Sequence, residues 1–552
     1  MTTATARELA SSVSTATALL DDPARNKGTA FTKAERQKYG LNGLLPEEIE
    51  DIDRQVVRVL DHLKHKLSDL DRYVYLIGLV DRNETLFYKV VMSDPERFIP
   101  ILYDPTVAEA CLKFGHIYRR PRGMYISLSQ KGHVAELLRN WPVHDVRFIC
   151  VSTGGRILGL GDLGANGMGI PIGKLQLYTA CAGVPPRCLL PILLDIGTTN
   201  AALRADPLYL GLRQEPPATE ALDEFVEEFV QAVQKVFPGS CIHFEDWKGT
   251  DAIRLLAKYA DRVLCYNDDI QGTAAVVLAG LTTALEILKQ KLSDQRILFF
   301  GAGSAAIGIA NLVVSALEQS GLTKAQAASR IWMCDIKGLI ESSRKDLSPS
   351  QAVFAAPHDA SADLVDVIKA LRPTMLIGVS TKGGAFNQQV VETMSRINND
   401  PVIFALSNPT EKAECTAEQA YTWSKGKALF AGGVQFPDVK VAGKTFHPGQ
   451  ANNFYIFPAL GLAVYGTKAK RLTDEAFIAA AKGCAAQTTQ ADRDKGMLFP
   501  SQTDILRAEI ATAASIATFF FDHNLASVAR PANVAAWIEG LVYKPEYASI
   551  RS

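Results

Sequence analysis

The stretch Arg296-Ile-Leu-Phe-Phe-Gly-Ala-Gly-Ser-Ala-Ala306 decides the fold. Its first five residues read as a buried strand, Gly301 to Ala306 as a tight G-x-G-x-x-A turn, and Ile307 to Glu318 as a helix. Gly301 permits the turn, Gly303 lets the backbone approach a pyrophosphate, and Ala306 allows close helix packing, with Ala302 and Ser304 in the same loop. The strand Ile331-Trp-Met-Cys-Asp335 then ends in an acid suited to a ribose hydroxyl, although it lies beyond the usual spacing of about 20 residues. Runs at 375–379, 402–406 and 428–431 continue a βαβ series. The expectation is an α/β protein containing a Rossmann-type dinucleotide-binding domain with a parallel sheet.

A second match, Gly159-Leu-Gly-Asp-Leu-Gly164, lies upstream. It does not read as a dinucleotide site. Asp162 would aim a negative charge at the pyrophosphate, and Ala165-Asn-Gly-Met-Gly-Ile-Pro-Ile-Gly173 reads as more loop rather than the helix N-terminus that phosphates need. A loop where substrate or metal approaches the backbone is expected instead, with Lys174 opening a helix from Leu175 to Ala182.

Tyr266-Asn-Asp-Asp-Ile-Gln-Gly-Thr-Ala274 places Asp268 and Asp269 ahead of a helix that is apolar on all sides and therefore buried. Simple capping of that helix by Asn267 and Asp268 is the plain alternative. The strand Cys241-Ile-His-Phe-Glu-Asp-Trp247 ends in a second acidic pair, Glu245 and Asp246. Ligands of α/β sheets lie beyond the C-terminal ends of strands, where both pairs fall. Glu245, Asp246 and Asp269 offer three hard oxygens, with His243 close by in the sequence, and oxygen ligation points to Mg2+ or Mn2+.

The remaining chain supplies context. Ile52, Val56, Val59, Leu60 and Leu63 recur with helical period in a mostly helical block that reaches residue 118. Within it Tyr103 closes an apolar segment before Pro105, a place where a tyrosine ordinarily packs in a core. Side-chain amides gather at Ser407-Asn408-Pro409 and Gln450-Ala-Asn452-Asn453, and suit hydrogen bonds to a substrate carboxylate or hydroxyl. With 58 basic and 59 acidic residues the net charge is -1, so no nucleic acid or membrane partner is implied. Nine cysteines without a C-x-x-C pair argue against a disulfide framework or zinc cage and for a reducing compartment. No uninterrupted apolar run spans a membrane and no signal-peptide core is present. Residues 1–20 read as a disordered tail in preference to an organellar presequence. The expected organisation is a helical N-terminal domain (1–120), an α/β catalytic domain (121–267 and 454–525), the dinucleotide domain (268–453) and a C-terminal tail (526–552) packing on another surface, such as a partner subunit.

Taken in order, Tyr103-Asp-Pro-Thr-Val107, Arg120-Pro-Arg-Gly-Met124, Arg156-Ile-Leu-Gly-Leu-Gly-Asp162, Phe244-Glu-Asp246, Asn267-Asp-Asp-Ile-Gln-Gly-Thr273, Gly301-Ala-Gly303, Phe404-Ala-Leu-Ser-Asn-Pro-Thr410 and Asn452-Asn453 resemble the malic enzymes from about residue 28 to about residue 540. The resemblance implies oxidative decarboxylation of L-malate to pyruvate and CO2 with reduction of NADP+ or NAD+. It implies Glu245, Asp246 and Asp269 as metal ligands, Lys174 as general base tuned by Asp268, and Tyr103 as general acid. Arg156, Asn408 and Asn452 would hold malate with Asn453 alongside, and Arg156 and Asn408 would also border the cofactor. Gln55, Arg58 and Arg82 match positions that bind a dicarboxylate activator at a subunit interface in some members; ordinary salt bridges are the alternative for the arginines. Two departures stand out: Thr153-Gly-Gly155 replaces a turn that usually carries Asp and Glu, and Gly249 stands where many members place an asparagine near the cofactor.

Lys337, with Arg344 and Lys345 farther on, favours NADP over NAD, because cations near the ribose accommodate a 2′-phosphate. A homodimer or homotetramer in the cytoplasm, or alternatively the mitochondrial matrix, is expected. The competing readings are a 2-hydroxyacid dehydrogenase that does not decarboxylate and a non-catalytic sensor of dicarboxylates or nucleotides.

Overall fold

The computed structural model describes residues 15–549 except residue 158, so the expectation for the extreme N-terminus lies outside the described residues apart from the short helix Thr15–Leu20. Two compact units divide the chain: one runs to Arg122 and takes in the chain from Tyr543, and the other is Gly123–Val542.

The first unit is helical. Helices Ile52–Lys64, Asp69–Val80, Glu84–Ser93 and Pro95–Leu102 begin after Asp51, Ser68, Asn83 and Asp94, and each of these caps its helix by accepting from a backbone N–H. Four orphan N–H groups at each helix start explain why these residue types stand there. The stretch around Tyr543 and Tyr547 is tied into this unit. Tyr543 meets Tyr88 edge-on at 5.9 Å, and Tyr547 donates to Gln55 at 2.6 Å while accepting from Asn83 at 2.7 Å. The stretch read as a tail contains the helix Val534–Leu541, and Tyr543 and Tyr547 beyond it are held by their own chain.

Among the described residues the second unit contains two large sheets and a separate two-stranded hairpin. Strands β1 (Met124–Ser127), β2 (Phe148–Ser152), β3 (Leu189–Asp195), β4 (Cys241–Phe244) and β5 (Cys265–Asn267) form a parallel sheet in the order β1-β3-β2-β4-β5. β2 to β5 are buried throughout, which is why they read as continuous apolar runs rather than alternating ones. Leu222, Phe225, Val226, Phe229 and Val233 of the helix Thr219–Val236 join that core, each contributing about 1.5–3 kcal/mol on burial.

The second sheet comprises β6 (Ile297–Phe300), β7 (Ile331–Asp335), β8 (Gly338–Leu339), β9 (Met375–Gly378), β10 (Val402–Ala405) and β11 (Leu429–Gly432), followed after the hairpin β12 (Val439–Val441) and β13 (Lys444–Phe446) by β14 (Gly449–Gln450). Its order is β14-β11-β10-β9-β6-β7-β8, parallel except for β7 against β8. The chain leaves β6 toward β7 on one side and later returns to β9 on the other. The crevice where ligands enter such sheets therefore opens beyond β6, at the fingerprint loop.

Two local expectations change. The segment Gly169–Gly173 is helical, so Lys174 sits inside the helix Gly169–Ala182 rather than at its start. Pro171 falls in the first turn, where a missing N–H costs nothing. The stretch Asp268–Leu288 has the length and hydropathy of a membrane span, contrary to the sequence expectation, but 67% of its most apolar window is buried. It lies against the helices Asp474–Ala485 and Ser304–Gln319, so its apolar circumference belongs to the core.

Candidate active site

β4 and β5 run side by side with Phe244 opposite Asn267, so the acids that follow the two strands emerge together. Strand alternation would send Glu245 and Asp246 to opposite faces. Asp246 breaks the alternation by adopting φ 54°, a left-handed conformation that aspartate tolerates better than most residues. Its backbone N–H donates to Asp269 Oδ2 at 2.9 Å. Glu245, Asp246 and Asp269 each bring a carboxylate oxygen within 4.8 Å of the others, and Asp246 Oδ2 is buried without a hydrogen-bond partner.

Burial pushes the Glu245 and Asp269 carboxyls up to about 7, with neighbouring carboxylates adding to the shift, and raises Asp246 well above its ordinary range through burial and then repulsion from Asp269 and Glu245. Three hard oxygens that repel one another and leave one oxygen orphaned fit a divalent cation such as Mg2+ or Mn2+, whose charge reverses that cost.

Asp268 and Asp269 lie on a single π-helical turn, Asp268–Gly272, that opens the helix Thr273–Leu288. Asn267 caps the turn by accepting from Ile270 N at 3.0 Å, and the Asp268 carboxylate faces Lys174 instead. Lys174, 1% exposed, places Nζ 2.5 Å from Asp268 Oδ2, 2.9 Å from Glu245 Oε1 and 4.6 Å above the Phe457 ring. Asn453 Nδ2 donates to Asp268 Oδ2 at 2.9 Å and to its carbonyl at 3.0 Å, so this amide holds the aspartate. Gly272 has no side chain for a direct reason: a Cβ there would lie 1.9 Å from Asp268 Oδ1.

In the loop 154–167 a Cβ on Gly154 would meet Gly164 O at 2.0 Å, one on Gly167 would meet Gly154 Cα at 2.7 Å and one on Gly164 the Tyr209 hydroxyl at 2.2 Å, whereas Gly161 borders open space. Asp162 accepts from Thr198 Oγ1 at 2.7 Å, Thr199 N at 2.7 Å, Thr199 Oγ1 at 2.8 Å and Gly164 N at 3.0 Å, which ties the loop to the chain after β3. Arg156 donates its backbone N–H to Asp246 O at 3.3 Å. A Cβ on Gly249 would stand 3.5 Å from both Arg156 Nη1 and Ser304 Oγ, so the small residue at 249 sits where the acid cluster and the fingerprint loop adjoin. Pro409, next to Asn408, comes close to Gly159. Asn452 Oδ1 accepts from Phe454 N at 3.2 Å.

Gly301 takes φ 121°, and a Cβ on it would lie 2.5 Å from Val379 O after β9. A Cβ on Gly303 meets nothing within 4 Å, so the space before it is open to a ligand. Ala302 O accepts from Gln351 Nε2 at 3.1 Å, and Ser304 and Ala306 open the helix Ser304–Gln319. Asp335 accepts two bonds from Arg344, at 2.9 and 2.6 Å; burial raises its carboxyl, but the guanidinium outweighs that and holds it below the usual range. Lys337 pairs with Asp346 at 2.7 Å.

Tyr103, Gln55, Arg58 and Arg82 belong to the N-terminal unit. Tyr103 ends the helix Pro95–Leu102. The Gln55 amide is engaged by Lys27 O, Thr29 Oγ1 and Tyr547, and Arg58 pairs with the buried Glu50. Arg82 lines an open cavity of about 580 Å3 with Lys66, Arg119 and Arg120.

For two further groups in this region the sequence reading names no role: Glu414 goes unnoticed, and His243 is noted only as a neighbour of the acids. Glu414, fully buried, accepts from Ser380 N and Oγ at 2.8 Å each and from Ser407 Oγ at 2.5 Å, joining the loops after β9 and β10; nothing in its neighbourhood in the sequence marks it. His243 Nε2 lies 2.8 Å from Glu245 Oε2, and here the signal existed, because residues two apart on a strand share a face.

Fold and site together define a class, the dinucleotide-binding α/β dehydrogenases, here with a buried cluster of three carboxylates. Two family descriptions match the chain: malic enzyme, NAD binding domain, over residues 270–520, and malic enzyme, N-terminal domain, over residues 80–260. The chain is 47% identical over 532 residues to the NADP-dependent malic enzyme of Columba livia, covering 96% of each chain. It is 45% identical to the mitochondrial NADP-dependent malic enzyme of Homo sapiens, covering 96% of this chain and 88% of that one. The crystal structure of Entamoeba histolytica malic enzyme aligns with TM-score 0.57 at 22% identity over 81% of each chain, a likeness of fold. The chain belongs to the malic enzyme family.

Proposed function

We infer that this protein oxidises and decarboxylates L-malate to pyruvate and CO2 with reduction of NADP+. The observation that carries this reading is Lys174, buried between Asp268 and Glu245 and directly beside the three-carboxylate cluster. Lys174 Nζ takes the proton of the C2 hydroxyl while hydride leaves C2 for the nicotinamide, and Asp268 stabilises the ammonium that results. The oxaloacetate then loses its C4 carboxylate as CO2, the C3–C4 electron pair passing into an enolate. Glu245, Asp246 and Asp269 would hold Mg2+ or Mn2+, which when bound supplies Lewis-acid stabilisation of the C2 oxygen. Tyr103 is assigned the proton delivered to C3 on the family resemblance. Arg156, Asn408 and Asn452 bind malate, and Asn453 serves by fixing Asp268. On this reading residues 121–267 and 454–525 form the substrate and metal side and 268–453 the nucleotide side.

The NADP assignment is supported by the relatives' NADP dependence and by Arg344, which neutralises Asp335 and so removes an acid that would repel a 2′-phosphate. We assign a homodimer or homotetramer in the cytoplasm, with the mitochondrial matrix as the alternative and a dicarboxylate effector near Arg82 as a further element to test. The test is reduced-nicotinamide absorbance with L-malate and Mn2+, run in parallel with NADP+ and NAD+ while pyruvate is assayed. Equal yields of NADPH and pyruvate are expected, faster than with NAD+. Reduction without pyruvate would mean a plain dehydrogenase, and no reduction with either cofactor would favour the sensor.

A further inference from the structure

His243, Tyr178 and Tyr266 are buried polar side chains that the proposed reaction does not use. The strand register brings them together, with His243 on β4 opposite Tyr266 on β5 and their rings 4.6 Å apart. His243 Nδ1 lies 2.9 Å from the Tyr266 hydroxyl and 3.0 Å from the Tyr178 hydroxyl, and the two hydroxyls lie 2.5 Å apart. On the other side of the ring, Nε2 faces Glu245 Oε2 at 2.8 Å.

Counting protons settles the direction of these bonds. A carboxylate ligand can only accept, so the imidazole proton sits on Nε2 and is donated to Glu245. Nδ1 then accepts from one tyrosine, whose oxygen accepts from the other. Three protons meet three acceptors, and no group in the chain is left without a partner. The second Glu245 oxygen, Oε1, is held by Lys174 at 2.9 Å. Both oxygens of this flexible side chain are therefore fixed before any cation arrives, which lowers the ordering cost of binding one.

We propose that His243, oriented by Tyr178 and Tyr266, is a positioning residue that sets the affinity of the protein for its divalent cation by holding Glu245. The proposal rests on Glu245, Asp246 and Asp269 being the cation site. Hydrogen bonds behind metal ligands typically change metal affinity by about 10- to 100-fold when removed.

The test is a Mn2+ titration of the full-length protein followed by the electron paramagnetic resonance signal of free Mn2+, with NADPH binding by fluorescence as the control. His243→Leu is expected to weaken Mn2+ by about 10- to 100-fold while NADPH binds as in the wild type. His243→Gln places an amide N–H near the site of Nε2 and is expected to recover most of the affinity, whereas His243→Asn, too short to reach, is not. The double variant Tyr178→Phe/Tyr266→Phe keeps the shape of the core and is expected to show a smaller loss. Wild-type affinity in His243→Leu would overturn the proposal, as would parallel loss of Mn2+ and NADPH binding, which marks a merely structural role. Should His243→Leu fail to fold, unchanged Mn2+ affinity in the Tyr-to-Phe pair overturns it. A wild type that binds no Mn2+ would overturn the cation site itself, and that trace distinguishes the two failures.

Discussion

The two glycine loops, residues 159–164 and 301–306, match the same pattern, yet they differ in what surrounds their glycines. In the upstream loop a Cβ on Gly159 would meet the Pro409 ring at 2.6 Å and one on Gly164 the Tyr209 hydroxyl at 2.2 Å, Gly161 borders open space, and Asp162 is surrounded by four donors from Thr198, Thr199 and Gly164. In the downstream loop Gly303 borders open space, and the helix Ser304–Gln319 presents its N-terminus. A glycine fingerprint reports close approach or room for it, and only the surroundings show whether a ligand or the chain itself is approaching. The upstream loop leads into the helix bearing Lys174, and the downstream loop into the nucleotide side.

The sharpest way to break this division is Lys174→Ala. It is expected to lower kcat by about 100- to 10,000-fold with NADPH affinity unchanged in a fluorescence titration, and loss of nucleotide binding would contradict it. Gly303→Val probes the other side. The new side chain fits the free protein but stands where the pyrophosphate approaches, so NADP+ affinity should fall about 10- to 100-fold, corresponding to roughly 1–3 kcal/mol, with melting temperature and Mn2+ affinity unchanged.

Asp162→Ala sharpens the contrast from the upstream side. Leaving its donors unpaired should cost about 2 kcal/mol of stability in urea unfolding while NADPH binding stays within twofold, and a selective loss of nucleotide affinity would restore the upstream loop as a nucleotide site. The smallest effect compares Asp162, saturated with donors, with Glu245 and Asp269, which burial raises to about 7. Because these folded-state values exceed the ordinary 4.5 and 3.8, the metal-free protein binds more protons than the unfolded chain over that window, and stability falls as pH rises through it. A cation relieves the repulsion, so the melting-temperature gain on adding Mn2+ should be larger at pH 8 than at pH 5.5, by about 1–3 °C. An equal gain at both pH values would detach the cation from these acids.

Much of the architecture was legible because buried parallel strands read as unbroken apolar runs, and β6, β7, β9 and β10 stand within a residue of where those runs fall. The helix Gly169–Ala182 was misjudged at its start because glycine and proline are read as breakers, whereas a first turn accepts proline and a buried helix accepts glycine where neighbours crowd it. β5 carries no range in the sequence reading, although Asp268 and Asp269 are placed there at a strand end, because three residues are too few to show a period. Glu414 left no trace in the sequence, since its partners Ser380 and Ser407 are brought to it by β9 and β10.

By itself the sequence determined the chemistry available: hard carboxylates at strand ends, one lysine after a glycine loop, a nucleotide fingerprint in strand and helix context, and a family resemblance spread along the chain. Residue type and local period carry that information because they act over a few residues. Only the tertiary structure decided that Asn453 serves Asp268, that Arg344 occupies Asp335, and that His243 stands behind Glu245. Those pairings join residues from 2 to 185 positions apart. Strand register, a π-helical turn and one left-handed aspartate set which side chain meets which, and nothing local in the chain encodes that geometry.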